Sequence, residues 1–414
     1  MRILHLAQSD SIGGAARASL RIHKALIDSN IESQMNVGVK NTDITTIHGP
    51  KGKIRKGIGI VRPSLGELIM KMQKTSNQIL HSPSVIPSGM VNEINNSDVD
   101  VVHLHWVCGE FLSIEEIGRI NKPLVWTLHD MWGFSGAEHV SDDGERARWR
   151  HGYTRENRSK DHRGLDIDRW VWNRKRRAWN TPFEIVAPSN WLAECAKNSS
   201  LMSEWPITVI PNALDINQFQ PWDKKIAREV LGLPINEPLL LFGAHGGSRN
   251  FNKGWDILEN ALKMVANNIE GVHGVIFGQT EPSNAPRVGM PLHWMGHLHD
   301  DATLSLLYSA ADVMIVPSRK EAFGQTASEA HACGTPVVAF RSTGLLDIVS
   351  HKKSGWLADQ YNYEDLARGI QWVLEDHDRQ KKLGEKARRI SEKNFSYPVI
   401  AKKYIQVYER ALKK

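Results

Sequence analysis

The amino-acid sequence predicts an α/β protein built from two parallel-sheet domains. Three observations carry that expectation. The chain has 414 residues, and a length near twice the usual domain size sets two domains as the prior. Residues 1–7 form a short apolar run that passes through Gly13-Gly14 into a helical pattern at Leu20, His23 and Leu26, a strand, glycine turn and helix. Residues 312–340 set two apolar, β-branched runs on either side of a short helix former, which reads as a parallel βαβ unit.

Composition narrows the class. Hydrophobic residues make up 41% and charged residues 24% of the chain, the balance of a packed globular protein rather than a disordered one. Cys108, Cys195 and Cys333 are too few and too scattered for a disulfide framework or a thiolate metal site, so a reducing cytoplasm is expected. No apolar run approaches the ~18 residues of a spanning helix. The first residues enter a strand without a charged leader, so neither secretion nor membrane spanning is expected. A formal net charge of +6 favours anionic partners, with nucleotide-sugar diphosphate, anionic lipid and nucleic acid all qualifying.

The first half then reads in order. The glycine turn after the first strand lets backbone approach a phosphate or sugar, or simply closes against the sheet. It lacks the G-x-G-x-x-G spacing of a dinucleotide site. Residues 44–82 are basic and irregular. Leu65, Ile69, Met72 and Ile79 are spaced there as a modestly amphipathic helix over 65–80, facing either water or anionic lipid. Residues 98–106 form a strand whose period of two sets His103 and His105 on one face. A zinc pair would lack a third ligand at nearby spacing, so packed or cleft-lining histidines are expected. The apolar strand from residue 123 ends in His129-Asp130, followed by Trp132; taken naively, the neighbours are an acid–base dyad. From Arg146 to Arg177, twelve Lys or Arg stand against four Asp or Glu, with Trp149, Trp170, Trp172 and Trp179 interleaved. Basic residues among aromatics suggest nucleic acid in isolation, or a solvated basic helix over 167–179. Strand ends at 183–191 and 205–215 close this half.

A polar stretch to Asn236 leads into the second alternation. Residues 239–243 are its first strand, and Arg249 and Lys253-Gly254 precede a helix from Asp256. Residues 272–278 and 292–295 are further strands, the last running into Gly296-His297-Leu298. In the 312–340 unit, Pro317-Ser318 stops the first strand, helix former runs from Thr326 to Cys333, and Gly334 with Pro336 ends it. The loop 318–325 lies at the carboxyl end of its strand, where open α/β sheets bind ligands. Glu321 and Glu329 flank a helix N-terminus suited to a phosphate. Thr326-x-x-Glu329 equally matches a capping box, which would use Glu329 only to hold its own helix. Residues 397–414 form a last amphipathic helix carrying Ile400, Tyr404, Val407 and Leu412.

The string Glu321-Ala-Phe-Gly-Gln-Thr-x-x-Glu329-Ala-x-Ala-Cys-Gly-Thr-Pro-Val-Val-Ala-Phe340, after Tyr308-Ser-Ala-Ala-Asp312 and Pro317-Ser318, resembles the donor-site signature of the retaining GT-B glycosyltransferases of family 4. The resemblance extends to His129-Asp-x-Trp-x-Phe-Ser-Gly136, to Pro211-Asn-x-x-Asp215-x-x-x-Phe219, and to Ser342-Thr343-Gly344-x-x-Asp347, where Thr343 replaces a glycine. It implies two Rossmann-like domains facing a cleft. Residues 1–215, with a basic Trp-rich insert at 142–180, would bind the acceptor, residues 216–395 the donor, and a helix at 396–414 would return to the N-terminal domain.

The same resemblance implies roles. Glu329 would bind the nucleotide ribose and Glu321 the donor sugar, with amides of Ala322, Phe323, Gly324, Gln325 and Thr326 approaching sugar and diphosphate. Lys253 would meet the diphosphate. The family arginine sits about five positions before the lysine, where this chain has Ser248, and Arg249 stands in. His297 and Leu298 would lie by the base and Gly14 by the donor phosphate. His129, Glu321 and Lys253 form the expected catalytic set; His105, Asp130 and Trp132 are the expected acceptor contacts. A diphosphate oxygen can take the acceptor proton, so His129 positions rather than acts as base, and no metal or cofactor is expected. Relatives often carry cysteines near the insert. Here Ala137 and Glu138 follow Gly136, so their metal-bound loop is not expected, and the insert would cover the acceptor site or offer a surface to lipid-linked acceptor phosphates.

The expected donor is a UDP-, GDP- or ADP-linked hexose and the expected acceptor a glycan or lipid-linked glycan. Cell-surface polysaccharide or lipopolysaccharide assembly, at the cytoplasmic face of an anionic membrane and without nucleic acid, is the expected setting. Two other classes stay open: an inactive GT-B scaffold that binds anionic surfaces or nucleic acid through 146–179, and a nucleotide-sugar epimerase. The intact Glu321/Glu329 unit weighs against the first.

Overall fold

Each apolar run named above becomes a strand in the computed structural model, which describes residues 1–243 and 250–414. The chain folds as two units, Met1–Pro211 with Ile400–Lys414, and Asn212–Val399. In the first, β1 (Arg2–Ser9), β2 (Glu32–Val39), β3 (Ile47–His48), β5 (Val101–Leu104), β6 (Leu124–Thr127), β8 (Glu184–Ala187) and β9 (Ile207–Val209) make one parallel sheet in the order 3-2-1-5-6-8-9. A separate antiparallel pair joins β4 (Gln73–Lys74) to β7 (Arg163–Gly164). In the second unit, β10 (Leu239–Gly243), β11 (His273–Phe277), β12 (Leu292–Trp294), β13 (Val313–Val316), β14 (Val337–Phe340) and β15 (Gly355–Ala358) form a parallel sheet in the order 12-11-10-13-14-15.

Helices cover both faces, so the central strands are mostly apolar and largely buried, with His5 and His103 among their buried residues. In each sheet the chain winds outward on one side, then restarts on the other. The restarts fall between β1 and β5 and between β10 and β13. Loops at the carboxyl ends of those strand pairs splay apart and leave the crevice in which doubly wound sheets place ligands.

The last helix, Tyr397–Ala411, belongs from Ile400 onward to the first unit. Its Tyr404 and Tyr408 are fully buried there. Their hydroxyls sit 2.9 Å from Thr127 Oγ1 and 2.8 Å from His103 Nδ1. Two buried aromatic rings at helical spacing contribute about 2 kcal/mol each.

Two sequence expectations are corrected. The amphipathic pattern over 65–80 is not a helix to residue 80: the helix is Lys53–Met70, and β4 follows at Gln73. Strand pairing with β7 wins because the Gln73 side chain is fixed, accepting from the Ile167 amide at 2.6 Å and donating to Asp168 Oδ2 at 2.7 Å. The tryptophans of the insert are not a stacking platform. Trp149, Trp172 and Trp179 are buried and only Trp170, 41% exposed, meets solvent. Base stacking needs exposed rings; these pack the insert onto its own unit. Its charges also pair locally, Arg148 with Asp166 at 2.7 Å and Arg174 with Glu115 at 2.6 Å. Among the described residues no helix is long and apolar enough to cross a membrane. The three cysteines are buried and form no disulfide.

Candidate functional site

The helix Gln325–Ala332 starts on Gly324, whose φ of +109° only glycine adopts without strain. A Cβ there would lie 2.8 Å from Leu345 Cδ2. No side chain caps this helix start and its first turn holds no acid, so backbone N–H groups supply its positive pole. The far end is a Schellman motif: Thr335 N–H donates to Ala330 O at 2.9 Å and Gly334 N–H to His331 O at 3.0 Å. The capping box over Thr326 and Glu329 is not formed, because the cap position falls on Gly324. Glu329 instead turns inward and is buried, one carboxylate oxygen accepting from the Tyr308 hydroxyl at 2.7 Å.

The loop before this helix is held from two sides. Gly254 (φ +67°) packs so tightly on the end of β13 that a Cβ would sit 2.0 Å from Pro317 O. Arg319 N–H donates to Asn252 O at 2.8 Å, and the Arg319 guanidinium pairs with Asp256 at 2.6 Å. These ties bring Lys253 Nζ to 2.5 Å from Glu321 Oε1 in a half-buried ion pair. From the other side, Thr343 Oγ1 accepts from Glu321 N–H at 3.0 Å and Gly344 N–H donates to Glu321 O at 3.0 Å. Thr343 takes a left-handed φ of +50° to do so, a strain of about 1–2 kcal/mol that its hydroxyl bond largely offsets. The missing family glycine is thus a threonine that fixes the backbone of Glu321. Gly344 must stay small, since a Cβ would lie 2.7 Å from Phe323 Cα. Phe323 itself is buried edge-on against Phe395, centroids 5.4 Å apart.

In the first unit the histidines form a chain that the sequence hid. Parallel register sets His5 opposite His103 on neighbouring strands. His5 Nδ1 lies 2.8 Å from His105 Nε2, and His105 Nδ1 lies 3.2 Å from His129 Nε2. Both nitrogens of His103 meet hydroxyls, those of Tyr408 and Thr127. A third imidazole therefore does join the His103–His105 pair, as His5, yet the rings bond to one another and to hydroxyls. Burial lowers the pKa of His5, His103 and His105 well below the usual imidazole range and that of His129 to about 4, so all four are neutral at pH 7. His5 Nε2 is buried without a partner. Leaving a lone pair there costs less than leaving an N–H. Protons then sit on His5 Nδ1, His105 Nδ1 and His129 Nδ1, making the outermost ring a fixed donor at Nδ1.

Asp130 does not pair with His129. It accepts from His139 Nδ1 at 2.6 Å, the Trp106 indole at 2.9 Å and Trp132 N–H at 2.9 Å. Burial pushes its carboxyl up, but His139 and these bonds outweigh burial and hold it below the ordinary carboxylate range. The dyad is corrected to two neighbours with separate partners. His105 and Trp132 are two of the expected acceptor contacts. Both are buried, the His105 nitrogens are taken by His5 and His129, and the Trp132 indole donates to Ser82 O. Asp130 and His129 stay half-buried. Gly14 is exposed in the first turn of the helix Gly13–Asp28, which no side chain caps. His297 is exposed and Leu298 half-buried against the second-unit core. Arg249 lies outside the described residues. Lys253, Glu321 and residues 322–329 are brought together; Tyr308 and Thr343 are the members sequence reasoning had not assigned.

The family described as "Glycosyl transferases group 1" matches residues 223–390, and that described as "Glycosyltransferase Family 4" matches residues 72–218. A D-inositol 3-phosphate glycosyltransferase of Xylanimonas cellulosilytica is 33% identical over 226 residues, 50% of this chain and 52% of its own. An uncharacterized glycosyltransferase of Methanocaldococcus jannaschii is 30% identical over 240 residues, 55% of this chain and 60% of its own. The chain thus spans about half the length of the curated relatives it matches. Among solved structures, Anabaena HepE in complex with UDP and glucose aligns over 99% of this chain and 100% of its own, TM-score 0.67, 20% identical. WaaG, a glycosyltransferase involved in lipopolysaccharide biosynthesis, aligns over 98% and 99%, TM-score 0.62, 14% identical. At those identities the likeness establishes the fold, GT-B with two Rossmann-like domains.

Proposed function

We infer, for a chain that belongs to the group 1, family 4 glycosyltransferases, that it transfers a hexosyl group from a nucleoside-diphosphate sugar to a hydroxyl of a glycan or lipid-linked glycan, with retention of configuration. The observation that carries this is the second-unit constellation: Lys253 paired with Glu321 beside an uncapped helix start, and Glu329 buried one turn further on.

The constellation supports donor binding by sites of matched chemistry. The N–H groups at the start of Gln325–Ala332 suit a diphosphate. Lys253, preset by its ion pair, opposes the charge that builds on the departing diphosphate without reorganising. Glu321, its backbone fixed by Thr343 and Gly344, accepts from sugar hydroxyls. Glu329, one oxygen of which accepts from the Tyr308 hydroxyl, meets a ribose hydroxyl. His129, a neutral ring with its proton on Nδ1, is suited to donate one hydrogen bond and takes no proton. The leaving diphosphate accepts the proton of the incoming hydroxyl, so the step asks for no metal. Cell-surface polysaccharide or lipopolysaccharide assembly at the cytoplasmic membrane face is the setting we propose, supported by the net charge of +6. That HepE is described in complex with UDP and glucose supports trying uridine donors before others.

The test is a panel of UDP-, GDP- and ADP-hexoses with simple glycan acceptors. One donor should release nucleoside diphosphate, and proton NMR of the new linkage should give the donor's own anomeric configuration. An inverted product would refute retention. Binding without release, together with epimerised donor, would favour the epimerase.

A further inference from the structure

Three segments of the first unit meet where the basic insert joins its sheet. His81 bridges to Glu138 in antiparallel register, β4 pairs with β7, and Gln73 fastens the start of the helix Ile167–Ala178. His81, Glu138 and Asp168 converge at that junction, with one ligand-type atom from each within 4.8 Å of the others.

The hydrogen bonds around the trio leave a specific deficit. His81 Nδ1 lies 2.6 Å from the Ile79 carbonyl oxygen. A carbonyl only accepts, so Nδ1 carries the ring proton and Nε2 presents a bare lone pair. That Nε2 faces Asp168 Oδ1 at 3.8 Å, too far for a hydrogen bond and fitting for two ligands of one ion. On each acid a neutral donor takes one oxygen: the Tyr153 hydroxyl on Glu138 Oε1, and the Gln73 amide on Asp168 Oδ2 at 2.7 Å. The other two oxygens, Glu138 Oε2 and Asp168 Oδ1, are buried without a partner. Three ligand-type atoms therefore face one another, the two carboxyl oxygens close enough to share a proton where no cation lies between them. The nearby ammonium does not fill the gap, because Lys175 Nζ is committed to the carbonyls of Trp132, Ser135 and Gly136.

We propose that His81, Glu138 and Asp168 bind one divalent transition-metal cation of the zinc class, which staples the 142–180 insert to the body of the first unit. One imidazole nitrogen with two carboxylate oxygens is a borderline donor set suited to zinc. The Ile79 carbonyl, Tyr153 and Gln73 are the outer partners that orient such ligands. The site belongs to the first unit and its role is structural, so it stands or falls independently of the proposed transfer reaction.

The test uses the full chain, stripped with a chelator and titrated with Zn²⁺ and, separately, Co²⁺. Elemental analysis after gel filtration should find one zinc per chain. Co²⁺ should give visible d–d absorption that Zn²⁺ displaces, and metal should raise the melting temperature by several degrees. Glu138→Gln and Asp168→Asn should each lower zinc affinity at least tenfold. If a variant fails to fold, the wild-type stoichiometry decides alone. Less than a tenth of an equivalent after zinc incubation would overturn the proposal in favour of a proton shared between the two acids. One zinc retained undiminished in both variants would overturn it in favour of another site, the His5–His103–His105 cluster first.

Discussion

Lys253→Ala probes the donor constellation where its two possible roles separate. The ion pair with Glu321 is 2.5 Å long, with the two side chains 26% and 16% exposed. Solvent reaches both ends, so its contribution to stability is about 1 kcal/mol. If Lys253 also opposes diphosphate charge in the transition state, its loss removes about 2–4 kcal/mol there, as for other preset electrostatic donors. That is a fall of roughly 30- to 1,000-fold in kcat/KM. The loss should appear mainly in kcat, because charge grows on the diphosphate as the bond breaks. The assay is initial-rate release of nucleoside diphosphate, run beside thermal denaturation on the same preparations. Glu321→Gln breaks the same ion pair and keeps the cation, so it calibrates the stability effect alone. A Lys253→Ala enzyme with a lower melting temperature and unchanged kcat/KM would refute the catalytic role and leave a structural ion pair.

Other perturbations follow from the same geometry. Gly254→Ala drives a Cβ to 2.0 Å from the backbone oxygen of Pro317 at a φ of +67°; a loss of about 3 kcal/mol, or roughly 6–12 °C in Tm, should follow, and an unchanged melting curve would contradict the packing described. Thr343→Gly relieves a left-handed threonine but removes the hydroxyl on Glu321 N–H. Stability should shift by less than about 1 kcal/mol while donor turnover falls severalfold, and equal turnover would detach Thr343 from the site. Burial lowers His23 and His331 to about 4, and both side chains are fully buried. Their folded pKa lies below the unfolded value near 6.5, so unfolding takes up protons as pH falls. Stability should be full above pH 6.5 and drop between 6.5 and 4, by about 2–3 kcal/mol for each such histidine. Urea midpoints flat from pH 7 to 5 would contradict it.

What could be read from the chain was whatever is local. Residues 312–340 encode a strand, a loop and a helix in one contiguous run, so Glu321 and Gly324 in the loop and Glu329 in the helix were legible from spacing, their donor-site roles only from the family resemblance, and the helix end as Gly334 then Pro336. The capping-box ambiguity could not be settled, because it turns on whether the cap falls at Gly324 or two residues later. Tyr308 stood in the string, but its bond to Glu329 depends on how the preceding helix packs. The histidine chain was hidden for a different reason. His5 and His105 lie 100 residues apart in sequence, and only the restart that sets β5 against β1 makes them neighbours. The insert misled because counting basic and aromatic residues says nothing about burial. Trp149 and Trp172 count the same whether they stack on a base or fill a core.

The most direct measurement is calorimetric titration of wild type and Glu329→Ala with the nucleoside diphosphate of the active donor. A buried carboxylate that grips ribose should give the wild type measurable binding and cost the variant at least tenfold in affinity, with the variant's fold intact by circular dichroism. Equal affinity in both proteins would contradict the donor site assigned to Glu329, and with it the placement of Glu321 and Lys253 around the same ligand.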